Sequence, residues 1–196
     1  MNVAIVGHKG GCGKTTTSIH IAAYLQGKGR TMLVDGDPNR SASGWAARGS
    51  LPFAVADETT ADAHGFAHVV FDTQARPLPR DLEALADRCD LLIIPTTADA
   101  LALDALTGTV ETLRQLRITK FRVLLTLVPP RPSRDGDEAR QTLREWKLPT
   151  FTGRIRRLVA FQKAALAGCV VHEVADPRAA WGWKDYMTVG KELLRG

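Results

Sequence analysis

The residues Lys9-Gly10-Gly11-Cys12-Gly13-Lys14-Thr15-Thr16 decide the reading of this chain. They stand between a short apolar run, residues 3–6, that ends at Gly7, and an apolar-periodic stretch, residues 15–25, carrying Ile19, Ala22, Ala23 and Leu25. The first reads as a strand, and the second as a helix closed by Gly27 and Gly29. Glycines at such a junction let the backbone turn successive N–H groups onto one anion. The positive end of the helix adds to the field there. The expected ligand is a phosphate chain. Lys14 would reach its β- and γ-phosphates, the Thr15 hydroxyl would ligate magnesium, and Thr16 would donate to the α-phosphate.

Outward from this loop, strand and helix patterns alternate. Strands are expected at 31–34, 52–55, 67–71, 91–94 (stopped by Pro95) and 121–128 (stopped by Pro129-Pro130). Helices are expected at 41–47, 82–88, 101–116, 137–146 and 186–194. Continuous Val, Ile and Leu in the strands mean burial on both faces, which with intervening helices implies parallel pairing. The fold class is α/β, a mostly parallel central sheet flanked by helices on both faces, and residues 1–196 read as one domain. Ligands in such sheets sit beyond the carboxyl ends of the strands. Three of those ends carry Gly7, Asp35 and Asp72, so these residues should meet at one site.

Composition sets the outer limits. The chain has 196 residues, 44% hydrophobic and 24% charged, which fits one ordered core. It holds no apolar run long enough to cross a bilayer and no signal-peptide pattern at Met1, so the cytoplasm is the expected compartment. Cys12, Cys89 and Cys169 are far apart, which argues against a disulfide framework or a zinc site. Cys12 lies beside a helix N-terminus that could lower its thiol pKa; inert packing is the preferred reading. The net charge of +5 permits an anionic partner.

The stretch Lys-Gly-Gly-x-Gly-Lys-Thr-Thr departs from the general Gly-x-x-x-x-Gly-Lys-Thr pattern, because His8 stands at its first glycine. It resembles the deviant Walker A motif of the ParA/MinD superfamily of ATPases. The segment 35–43, Asp-Gly-Asp-Pro-Asn-Arg-Ser-Ala-Ser, followed by Trp45-Ala46-Ala47, resembles that family's first switch, and the strand ending at Asp72 resembles its Walker B strand. His8 points to the ParA side of the family, where glycine is usually absent at this position; on its own chemistry it reads as a passive loop histidine.

The resemblance implies roles. Lys9 would reach across a homodimer interface to the partner's ATP, making nucleotide binding and dimerisation one event. Asp37 would orient the attacking water, and Asp35 and Asp72 would support magnesium with Thr15. The cofactors are ATP and Mg2+, bound by residues 9–16. Main-chain groups around 128–130, including Pro129 and Pro130, could read adenine, with Thr126 replacing the family's usual amide. The second switch departs from the family, being Asp72-Thr73-Gln74-Ala75-Arg76.

The chain looks like a small, ParF-like ParA, starting at the phosphate strand without an N-terminal DNA-binding extension. Such a protein dimerises on ATP, coats DNA non-specifically and is driven to hydrolysis by a ParB-like adaptor on its cargo. That cargo is a plasmid, a chromosome origin or a protein body, and the nucleoid is the expected location. Arg154, Arg156, Arg157, Lys163 and Arg178, with Lys184, Lys191 and Arg195, are the candidate basic face for DNA. The alternative is a MinD-like membrane-cycling ATPase; the segment 186–196 reads instead as a helix packed on the core. A metal-cluster reductase lacks its paired cysteines here, and the altered second switch leaves a non-hydrolysing scaffold open.

Overall fold

In a computed structural model, residues 1–7 and 9–195 are described; the reading of His8 lies outside them. The strands are β1 (Asn2–Ile5), β2 (Thr31–Gly36), β3 (Ala54–Asp57), β4 (His68–Thr73), β5 (Leu91–Thr96) and β6 (Phe121–Leu125). They form one six-stranded sheet in the order β3-β2-β4-β1-β5-β6, with every pairing parallel. The helices are α1 (Lys14–Gln26), α2 (Ser41–Ala46), α3 (Pro79–Arg88), α4 (Ala100–Gln115), α5 (Asp135–Glu145), α6 (Val159–Ala167) and α7 (Ala179–Leu193).

The period-two alternation of the strands splits the core in two. Val3 and Ile5 of β1 face α1, α2, α6 and α7, through Ile19, Trp45, Phe161 and Tyr186. Ala4 and the following Val6 face α3, α4 and α5, through Leu82, Leu106 and Leu143. Both faces are covered, as the apolar strand sequences require. The chain leaves β1 for β2 on one side and later crosses to β5 on the other. The crevice at the carboxyl end of β1 is therefore the switch point where such sheets bind ligands.

Several boundaries differ from expectation, among them β3, which runs from Ala54 to Asp57, and α3, which starts at Pro79. β5 continues through Pro95 to Thr96. Leu92 N–H donates towards β6, so the missing N–H of Pro95 faces the β1 side, where pairing has ended at Ile5 and Ile93. β6 stops at Leu125, before the two prolines; Thr126 N–H still bonds Thr96 O at 2.8 Å, and Leu127 then turns left-handed with φ 50°. α7 starts at Ala179, seven residues before Tyr186, and α6 and a 3-10 turn at Val171–Glu173 lie in a region where no element was expected.

Close approach fixes α7 on α1. A Cβ on Gly190 would fall 2.3 Å from a ring carbon of Tyr24, so only glycine permits this crossing. Nearer the phosphate loop, the Thr17 and Tyr186 hydroxyls lie 3.1 Å apart and share a buried hydrogen bond.

Candidate functional site

The loop from Lys9 to Thr16 emerges from β1 and enters α1 through two left-handed glycines, Gly11 (φ +76°) and Gly13 (φ +85°). A side chain at either would be strained, which explains the glycines. Gly13 is the N-cap of α1 and brings no side-chain cap, and the first turn holds no acidic residue. The N–H groups that open the helix thus lack a side-chain acceptor, and the positive helix end is left uncompensated. Lys14 is buried to 8% exposure, and among the described residues its Nζ donates only a long 3.4 Å bond to Lys9 O. A desolvated ammonium at an uncapped helix N-terminus is built for an anion.

One contact anchors the loop from below and another braces it internally. The Thr126 hydroxyl donates to Cys12 O at 2.7 Å, tying the end of β6 to the loop. The Cys12 thiol donates to Lys9 O at 3.2 Å. Burial raises the Cys12 thiol pKa, against the lowering pull of Lys14.

The strand register brings the carboxylates together as expected. Asp72 pairs with Ile5 on one side and Asp35 on the other. Asp72 is buried, with Oδ1 accepting from Ser18 Oγ at 2.9 Å and Oδ2 without a hydrogen-bond partner among the described residues. Burial pushes its carboxyl up to about 6, opposed by hydrogen bonding from Thr15 and Ser18. An orphaned buried carboxylate oxygen beside Thr15 fits a hydrated cation. Among the described residues no cluster of three His, Cys, Asp or Glu side chains could hold a metal unaided. Magnesium here would therefore depend on phosphate oxygens for much of its shell.

Asp35 has a structural duty that the sequence did not suggest. Its Oδ2 accepts from Ser43 N–H and Ser43 Oγ, both at 2.7 Å, capping α2, and its Oδ1 accepts from Asp37 N–H at 3.3 Å. Asp37 holds Asn39 through two 2.9 Å bonds to Oδ1, at the partly exposed rim. Lys9 lies on the other rim, its Nζ 2.8 Å from Asp99 Oδ1. The Lys9 hydrogen bond, then that of Thr97, holds the Asp99 carboxyl down to about 2.

The candidate basic residues do not form a plain face. Arg154, Arg156, Arg157 and Arg178 line a cleft of about 720 Å³ together with Pro129 and Pro130. Arg154 pairs with Asp137 at 2.7 Å, and Arg156 makes a bidentate pair with Asp185, its Nη2 2.6 Å from Oδ1. Lys163 lies outside the cleft, on Asp176 at 2.7 Å. Arg157 and Arg178 are exposed and form no ion pair among the described residues. A smaller cavity beside the phosphate loop shares Pro129 and Arg157 with this cleft, so the two are neighbours.

A parallel sheet with a glycine loop at the carboxyl end of its central β1, an uncapped helix behind it and carboxylates on the neighbouring strands defines a P-loop nucleotide-binding protein. The chain belongs to the CobQ/CobB/MinD/ParA nucleotide binding domain family, which matches residues 3–169. It is 39% identical to a maintenance of carboxysome distribution protein A from Gloeobacter kilaueensis, over 98% of this chain and 94% of that protein. It is 30% identical to the protein of the same description from Halothiobacillus neapolitanus, over 88% and 87% of the two chains. The fold is similar to that of a Cyanothece McdA variant solved in complex with ATP, at a TM-score of 0.78 and 17% identity, covering 99% of this chain and 96% of that one.

The Thr126 anchor can be tested against this assignment. Thr126→Val keeps the shape but removes the hydroxyl that holds the Cys12 carbonyl, and is expected to weaken ATP binding by about tenfold. Thr126→Ser should restore it. Calorimetric titration reads both, and wild-type affinity in Thr126→Val would remove the anchor from the site.

Proposed function

We propose that this chain is a ParA-type ATPase that binds ATP with magnesium, dimerises on it and hydrolyses it to position a cargo. The observation that carries the reading is the pairing, at one phosphate loop, of a buried lysine and a second lysine on its exposed rim. Lys14 serves the nucleotide bound by its own subunit, and Lys9 serves the partner's. Facing triphosphates repel, and a lysine from each side offsets that repulsion. Thr15 and Asp72, with Asp35 supporting the shell, hold magnesium, which supplies neutralising charge at the phosphates. Asp37 orients the attacking water from the opposite rim. The cleft carrying Pro129 and Pro130 opens beside the loop and accepts the adenosine end of the nucleotide.

The descriptions of the two relatives favour a protein body of the carboxysome kind as the cargo, reached through a ParB-like adaptor. Non-specific DNA is the proposed track, supported by the +5 charge and by the exposed Arg157 and Arg178. A membrane track finds no support in α7, whose Tyr186, Val189 and Leu193 are buried in the core. No helix of the described residues is long and apolar enough to cross a bilayer.

The decisive experiment is light scattering with ATP and magnesium. Wild type is expected to become dimeric. Lys9→Ala should bind ATP yet stay monomeric, and Asp37→Ala should stay dimeric because turnover stops. A Lys9→Ala protein that dimerises on ATP as wild type does would overturn the role of Lys9, and unchanged phosphate release by Asp37→Ala would remove Asp37 from catalysis. Binding to DNA of random sequence, dependent on ATP and weakened by salt, checks the track.

A further inference from the structure

We infer that Asp99 is a positioning residue for Lys9, holding its ammonium within its own subunit and so setting how readily ATP drives dimerisation. The inference rests on the reading of Lys9 given above. Asp99 Oδ1 meets Lys9 Nζ at 2.8 Å across ninety residues of sequence, at the rim of the cavity beside the phosphate loop. This carboxylate is itself fixed in place. Its Oδ1 accepts from Ala102 N–H at 3.0 Å as the N-cap of α4, and its Oδ2 accepts from the Thr97 hydroxyl. Asp99 therefore cannot follow Lys9 across an interface without uncapping α4.

Charge gives the contact its direction. A lysine still paired with a carboxylate offers a partner's triphosphate little net attraction, and the carboxylate repels it. Lys9 must leave Asp99 before it can serve the other subunit. The two side chains are 36% and 53% exposed, so the pair is weak, screened by salt and broken easily. The restraint is accordingly graded. It biases the monomer without locking it, and each dimer requires two such releases.

Asp99→Asn separates this role from capping, because asparagine caps a helix as well as aspartate does. Asp99→Ser provides a second uncharged cap. With a non-hydrolysable ATP analogue and magnesium at low salt, both variants are expected to dimerise at roughly fourfold lower protein concentration, about twofold for each pair released. The difference should shrink at high salt. In nucleotide-free protein, Lys9 should react faster with an amine-modifying reagent in both variants, a change that a purely structural Asp99 would not produce. Dimerisation at wild-type or higher concentration, or unchanged Lys9 reactivity, in both variants would overturn the inference. Lys9→Ala supplies the control. If it blocks dimerisation while the Asp99 variants match wild type, only the role of Asp99 falls; if it dimerises as wild type does, the role of Lys9 falls first and Asp99 with it.

Discussion

Lys14→Ala is expected to weaken ATP binding by about two to four orders of magnitude. The ammonium sits in the loop at 8% exposure with one long hydrogen bond, to Lys9 O, so most of its donor capacity is unspent. Phosphate oxygens would take two charge-assisted hydrogen bonds from it, each contributing about 1.5–3 kcal/mol. Alanine removes both and also removes a desolvated charge, so the nucleotide-free protein should melt no lower than wild type. Calorimetric titration with ATP and magnesium checks the first expectation and thermal unfolding the second. Affinity within threefold of wild type would mean that the loop does not hold the triphosphate.

The second large effect is on stability and comes from His20. Its ring is fully buried, stacked on Tyr186 at 4.7 Å between ring centres and edge-on to Phe161 and Trp45. Nδ1 lies 2.6 Å from Thr16 O, and Nε2 accepts from Val171 N–H at 3.1 Å. These partners define a neutral ring with its proton on Nδ1, and a second proton on Nε2 would face another donor. Burial pulls the pKa down to about 4 from 6.5. The unfolded chain therefore binds the proton first as pH falls. The stability tied to the neutral ring is whole above pH 6.5 and is lost as pH drops towards 4. At pH 5 the fold should be about 2 kcal/mol weaker from this residue alone than at pH 7.5. Urea unfolding at the two pH values, for wild type and His20→Asn, isolates the contribution. The wild-type drop should exceed that of the variant by this amount, and parallel drops would show that His20 is not responsible.

The centre of the sheet and the phosphate loop were legible because their signals are local. Glycines at Gly11 and Gly13 answer a demand of the backbone itself, and apolar runs ending in Gly7, Asp35 and Asp72 place those residues at strand ends whatever the rest of the chain does. The region after β6 was less legible. α6 is capped by Leu158 and α7 by Arg178, neither with a capping side chain, so the usual start signals are absent. Gly182 and Gly190 lower the helix propensity of α7, and they are there because Phe161 and Tyr24 press against them. Ser18, Thr126 and Asp99 act through hydrogen bonds between distant segments, for which sequence spacing carries no signal. The arginines read as a basic face depend on the same kind of information. The carboxylates that engage Arg154 and Arg156, Asp137 and Asp185, lie 17 and 29 residues away.

The two junctions between α1 and α7 carry a mechanical consequence. One is the hydroxyl pair Thr17–Tyr186 and the other the notch where Tyr24 meets Gly190. A single junction would leave a pivot, but two, seven residues apart along α1, do not. Sliding would break the hydroxyl pair and carry Gly190 out of its notch at the tyrosine ring. The helix behind the phosphates is thus braced like a beam bolted at both ends. On the function proposed above, displacement during nucleotide turnover is then expected in the segments that flank this beam, those bearing Asp37 and Lys9, rather than in the beam itself.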